Sequence, residues 1–172
     1  MISLEPVAET DNQTVRLSEE EVGRILDLYR TEHRYIANAK ISNLKLRCMI
    51  LPSRYPYTEH EVFSYVTAPT ATLYIAQMAY VLIGGLVLSA NASVSKYANW
   101  KEFVRWRDHA SLRFAEVAMR FRGSLSNSEI HEATMGITNI RRLGTAVFCT
   151  LEFSIGDRLF GQVHAVEIAE EQ

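Results

Sequence analysis

The sequence is short of the residues that build special frameworks. Its 172 residues hold two cysteines, Cys48 and Cys149, far apart and outside any Cys-x-x-Cys or Cys/His spacing, so neither a disulfide framework nor a zinc site is signalled. Four prolines and eight glycines, with no repeat or low-complexity stretch, exclude a collagen-like chain. Positive charge is not in surplus either. With 18 Lys+Arg against 20 Asp+Glu and a formal charge of -2, the chain has no broad basic field for a phosphate backbone, and no nucleic acid is expected as a partner. The first residues lack a basic segment followed by an apolar stretch and a small-residue cleavage site, so no secretory signal is read and a cytoplasmic location is expected.

The most informative absence is internal. From residue 62 to residue 95 there is no Asp, Glu, Lys or Arg, and residues 73–88 are almost wholly apolar. A membrane span needs about 20 predominantly apolar residues. This run is shorter and carries Gln77 and the pair Gly84-Gly85, so no membrane is expected. A helix apolar on all sides equally suits the centre of a fold that covers it all round.

What is present reads as one α+β domain. The first 17 residues are expected as an N-terminal arm, and residues 18–172 as a single domain. Ser18-Glu-Glu-Glu21 forms a capping box, and Val22, Ile25, Leu26 and Tyr29 follow at helical spacing. Residues 35–51 alternate apolar and polar, predicting one long strand with a wet face. Pro52 and Pro56 mark a loop, and residues 62–66 read as a short strand. Thr67, a good N-cap, and Pro69, favoured in the first turn, open the central helix. Asn99-Trp-Lys-Glu102 opens a short helix running to about His109. Four extended runs follow at residues 112–121, 130–140, 145–153 and 159–168, separated by turn residues, and they are expected to form a meander.

This order resembles the hot-dog fold, an antiparallel sheet wrapped around a long central helix, and Val117-Ala-Met-Arg-Phe-Arg-Gly-Ser-Leu-Ser-Asn127 is similar to the segment after the helix in hot-dog dehydratases and thioesterases. Four pieces sharpen the likeness: Arg24-Ile-Leu-Asp-Leu-Tyr29 with Arg34-Tyr-Ile36, Gln77-Met-Ala-Tyr80, Arg120-Phe-Arg122, and Phe148-Cys-Thr-Leu-Glu-Phe153. In that order they resemble the FcoT-like fatty acyl thioesterase family, over roughly residues 18–168. The resemblance implies a homodimer, with dimers able to assemble into a hexamer, acting on acyl chains carried by coenzyme A or an acyl carrier protein. Some members hydrolyse thioesters. Others add glycine to the β-carbon of a 2-enoyl thioester, giving a 3-(carboxymethylamino) fatty acyl product that can then be hydrolysed. No cofactor or metal is implied.

That chemistry asks for particular groups. Hydrogen bonds to the acyl carbonyl make the β-carbon electrophilic, and the helix start at Thr67-Ala-Pro-Thr70 offers N–H donors and a favourable dipole. The amine nucleophile must lose a proton, for which histidine is suited, and His60 is the candidate base. A glycine carboxylate calls for an arginine fork, and Arg47, Arg54, Arg120 and Arg122 are all candidates. Tyr29 and Tyr57 stand where the family has tyrosines able to hydrogen-bond thioester or enolate, and Gln77 is a further substrate-binding candidate.

Departures from the family weigh against simple hydrolysis. Hydrolytic members carry Asn at the helix start and again within the helix, where this chain has Thr67 and Ala76, and no helix carboxylate is present to activate water. Plain readings also stand beside the functional ones. His60 lies between Glu59 and Glu61 as an exposed loop residue would, Thr67 can act only as a cap, and Gln77 can be held by backbone or a dimer interface. A plain thioesterase and a non-catalytic acyl-binding protein remain the alternative functions.

Overall fold

The uncharged run folds into one helix, and its surroundings explain its composition. The computed structural model describes residues 14–53, 64–109 and 112–168. Its elements are β1 (Val15–Arg16), α1 (Glu19–Ile25), β2 (Ile36–Ser42), β3 (Lys45–Ile50), α2 (Ala68–Leu88), α3 (Ala92–Ser95), α4 (Trp100–Asp108), β4 (Leu112–Phe121), β5 (His131–Leu143), β6 (Ala146–Ile155) and β7 (Leu159–Ile168). The strands make one antiparallel seven-stranded sheet in the order β1-β2-β3-β5-β6-β7-β4. This is an α+β architecture with one long helix.

Fifteen of the 21 residues of α2 are buried. By length and composition α2 could cross a membrane, yet 78% of its most apolar window is buried within the protein itself. The sheet covers one side through β2, β3 and β5, which bring Leu46, Ile50 and Met135 into the core, while Ile25 of α1, Leu26 after it and Phe103 of α4 close the other. Gly84 and Gly85 admit this close packing from both flanks. A Cβ on Gly84 would lie 2.7 Å from Phe103 Cζ, and one on Gly85 would strike Ile41 and Leu17.

Local signals set the helix starts. Both capping boxes form, with Ser18 accepting from the Glu21 N–H and Asn99 from the Glu102 N–H while each glutamate reaches back. Helix α1 stops at Ile25 and is shorter than the periodicity through Tyr29 suggests.

Two expectations are corrected. The stretch 35–51 is a hairpin rather than one strand: Asn43 and Leu44 turn the chain at φ 47° and 60°, and Ser42 pairs with Lys45. Ser42 and Asn43 are two polar residues in succession and break the alternation at this turn, and Asn is a residue that tolerates the left-handed region. The last four strands do not form a simple meander. Strands β5, β6 and β7 do, but β4 crosses to the far edge and pairs with β7. The residues between β4 and β5 bond elsewhere instead of closing a hairpin: Leu125 C=O accepts from Val66 N–H at 2.7 Å, and Asn127 N–H donates to Ser64 C=O at 3.0 Å. The arm expected over residues 1–17 is described only from residue 14, and Val15–Arg16 pairs with β2 while Leu17 is buried against the core.

Candidate functional site at the head of the central helix

The start of α2 is anchored by polar contacts rather than by a cap. Thr67 is extended, at φ -88° and ψ 168°, yet its side chain accepts no backbone N–H of the first turn, and no acidic residue lies there. Its hydroxyl instead meets Thr70 Oγ1 at 3.1 Å. One turn on, Tyr74 donates its buried hydroxyl to Ser53 Oγ at 2.7 Å, and Ser53 donates to Asn127 Oδ1 at 3.3 Å. This cluster ties the end of the β3 segment and the β4–β5 connection to the helix.

Beside it lies a cavity of about 400 Å³ lined by Ser64, Tyr65, Ser126, Glu129, His131 and Arg158 among others. Ser64 and Tyr65 run straight into Thr67, and Tyr65 bridges to Ser126. His131 Nε2 lies 2.6 Å from the Ser126 carbonyl. A carbonyl can only accept, so Nε2 carries the proton and Nδ1 is the basic nitrogen. The cavity offers serine hydroxyls, an imidazole, the carboxylates of Glu129 and Asp157 and the Arg158 guanidinium, a set able to move a proton, and the chain leads from its Tyr65 into the uncapped start of α2. Among the described residues, no three His, Cys, Asp or Glu side chains converge as a metal site would require.

The residues picked from sequence do not all gather here. Thr67 does. His60, Tyr57 and Arg54 lie outside the described residues. Tyr29 packs edge-on against Tyr80, with ring centroids 6.5 Å apart. Tyr80 is about 20 Å further along the helix axis than Thr67, at about 1.5 Å per residue. Tyr29 is thus placed away from the helix start, and burial, with a smaller contribution from Tyr80, pushes its phenol up to about 12. Gln77 is fully buried and holds backbone: its amide oxygen accepts from Tyr35 N–H at 2.8 Å and its nitrogen donates to His33 C=O at 2.6 Å. This is the backbone partner that sequence reasoning left as one option.

The arginines lie on the outer sheet face. Arg47 and Arg120 are exposed and stand in the same cross-sheet row, through Thr134, Ser154 and Phe160. Four strand intervals of about 4.8 Å put them about 19 Å apart, so they do not form one fork. Arg122 lies over the Phe160 ring at 4.4 Å.

Sequence reasoning missed Ser53, Tyr74, Asn127 and His131. Thr67, Thr70 and Tyr74 share the helix spacing i, i+3, i+7, which is the signal that could have found the tyrosine. Nothing local ties Ser53 or Asn127 to it.

No protein-family model and no curated protein matches this chain. Among solved structures it is similar to Cj0977, a sigma28-regulated virulence protein from Campylobacter jejuni, with a TM-score of 0.42 and 10% identity over 90% of this chain and 94% of that chain. That degree of likeness assigns neither fold in detail nor function.

Proposed function

We propose that this chain is a hot-dog enzyme that adds glycine to the β-carbon of a medium- or long-chain 2-enoyl thioester, with thioester hydrolysis as an optional later step. The observation that carries the reading is the head of α2, where a long buried helix starts without side-chain cap or carboxylate beside a cavity containing an imidazole. The first turn of α2 carries no acidic residue of its own, and the positive end of its dipole favours negative charge developing on an acyl oxygen, with Glu129 and Asp157 among the groups lining the neighbouring cavity. A sheet packed along one helix is compatible with the hot-dog arrangement. The outer edge of β4 supports the homodimer, since among the described residues β4 pairs with β7 alone. Coenzyme A or an acyl carrier protein is the proposed carrier.

The test is direct. Purified protein is incubated with decenoyl and decanoyl thioesters of coenzyme A and of a carrier protein, with and without glycine, and products are read by mass spectrometry. A glycine adduct formed only from the enoyl substrate supports the reading. Hydrolysis of both substrates without glycine assigns a plain thioesterase, and no turnover of any thioester assigns a non-catalytic acyl-binding protein. A His60→Ala variant that keeps its full rate of addition across about pH 6–9 removes His60 as the base.

A further inference from the structure

The formal charge of -2 hides a local asymmetry that only strand register reveals. Arg16 in β1 stands directly opposite Lys40 in β2, and Lys40 stands directly opposite Arg47 in β3. All three are exposed, and their neighbours Leu17, Ala39, Ile41, Leu46 and Cys48 are buried, so the three cations project from the outer face. Like charges directly opposite one another on a sheet are destabilising. No ion pair offsets them among the described residues, and the row continues through Thr134 and Ser154 without a carboxylate. The carboxylates of this face, Glu116, Glu132 and Glu152, belong to other rows.

From this row we infer that the outer face of β1, β2 and β3 is a docking surface for an acidic helix of a partner protein. The spacing supplies the argument. Adjacent strands are about 4.8 Å apart, and successive turns of an α-helix are about 5.4 Å apart. A helix laid across the strands with carboxylates at i, i+4 and i+7 sets one over each cation, relieving a repulsion the fold otherwise carries. A single-stranded nucleic acid fits less well, because such platforms need open aromatic faces for stacking. The outer-face rings Phe148 and Phe160 are already covered by Arg141 and Arg122 at 5.6 and 4.4 Å. A lipid surface would be met by apolar side chains among the cations. The exposed large hydrophobics, Leu28, Tyr65, Phe121, Ile130 and Leu143, lie away from this row. The inference is independent of the thioester reading.

The experiment titrates the full chain against a fluorescently labelled, alanine-based helical peptide carrying three glutamates on one face, read by anisotropy at low and moderate salt. Binding that weakens with salt is expected. A Lys40→Gln/Arg47→Gln variant should bind about tenfold more weakly, while an Arg30→Gln/Lys101→Gln variant, with the same charge change on exposed sites elsewhere, should bind as the parent does. A peptide of identical composition with its glutamates spread around the helix should bind several-fold more weakly. Circular dichroism of each variant checks that the fold is kept. Equal binding of the two peptides, retained binding by the Lys40/Arg47 variant, or absence of binding overturns the inference. So does tighter binding of a thymidine oligonucleotide or of phosphatidylserine vesicles, which would reassign the face.

Discussion

Glu167 carries the sharpest prediction about stability. It sits near the end of β7 on the side facing the core, 3% exposed, and its Oε1 is buried without a hydrogen-bond partner. Burial pushes its carboxyl above the ordinary value of 4.5, Arg105 and Arg142 oppose that rise, and Glu102 adds to it. A raised folded value means the folded state holds the proton more tightly than the unfolded chain. The cost of Glu167 is therefore absent below about pH 4.5 and grows as pH rises through the folded value. A buried polar group left unpaired costs about 1–3 kcal/mol. Glu167→Gln, which removes the charge at nearly constant volume but keeps a polar group in the site, removes only the part of the cost that ionisation adds and should stabilise the protein by about 1 kcal/mol at pH 8. For a chain of this size each kcal/mol is about 2–4 °C in Tm. Thermal unfolding followed by circular dichroism at pH 4 and pH 8 checks it, with the two proteins converging at the lower pH. A variant less stable than the parent at pH 8, or a difference independent of pH, would refute the reasoning and mean that the carboxylate is well paired.

Three further outcomes follow from the packing. Gln77→Leu removes two hydrogen bonds of a buried amide, one accepted from Tyr35 N–H and one donated to His33 C=O, and denaturant unfolding should show a loss of about 1–3 kcal/mol. Gly84→Ala forces a methyl against Phe103 and Ile25 and should cost about 1–3 kcal/mol by the same assay. Ser18→Ala and Asn99→Ala each remove a working cap and should cost about 1 kcal/mol. Thr67→Ala, at an N-cap whose side chain bonds no helix N–H, should cost less than either, and a larger loss in acyl turnover than in stability would place Thr67 at the substrate.

Features governed by near neighbours were legible in the sequence. Both capping boxes, the start of α2 at Thr67 and Pro69, and the extents of β4 and β7 depend on residues a few positions apart, and the chain spells them out. The hairpin at Asn43 and Leu44 was hidden because its turn contains neither glycine nor proline, and its only trace in the pattern is the polar pair Ser42-Asn43. At the site, Thr67 was readable as a helix start, but the meeting of Ser53, Tyr74 and Asn127 was not. Their hydrogen bonds join positions 21 and 74 apart in the chain, and no local pattern encodes such a pairing.

By itself the sequence determined the α+β composition and the burial of an uncharged helix, because an apolar surface on every side must be covered wherever the chain places it. Tertiary structure alone decided which strands are neighbours, since pairing over long separations depends on how the whole core closes. It moved β4 to the far edge, committed the Gln77 amide to backbone, and aligned Arg16, Lys40 and Arg47 across three strands. Charges scattered along a chain of small net charge became a row only when the register between strands was fixed.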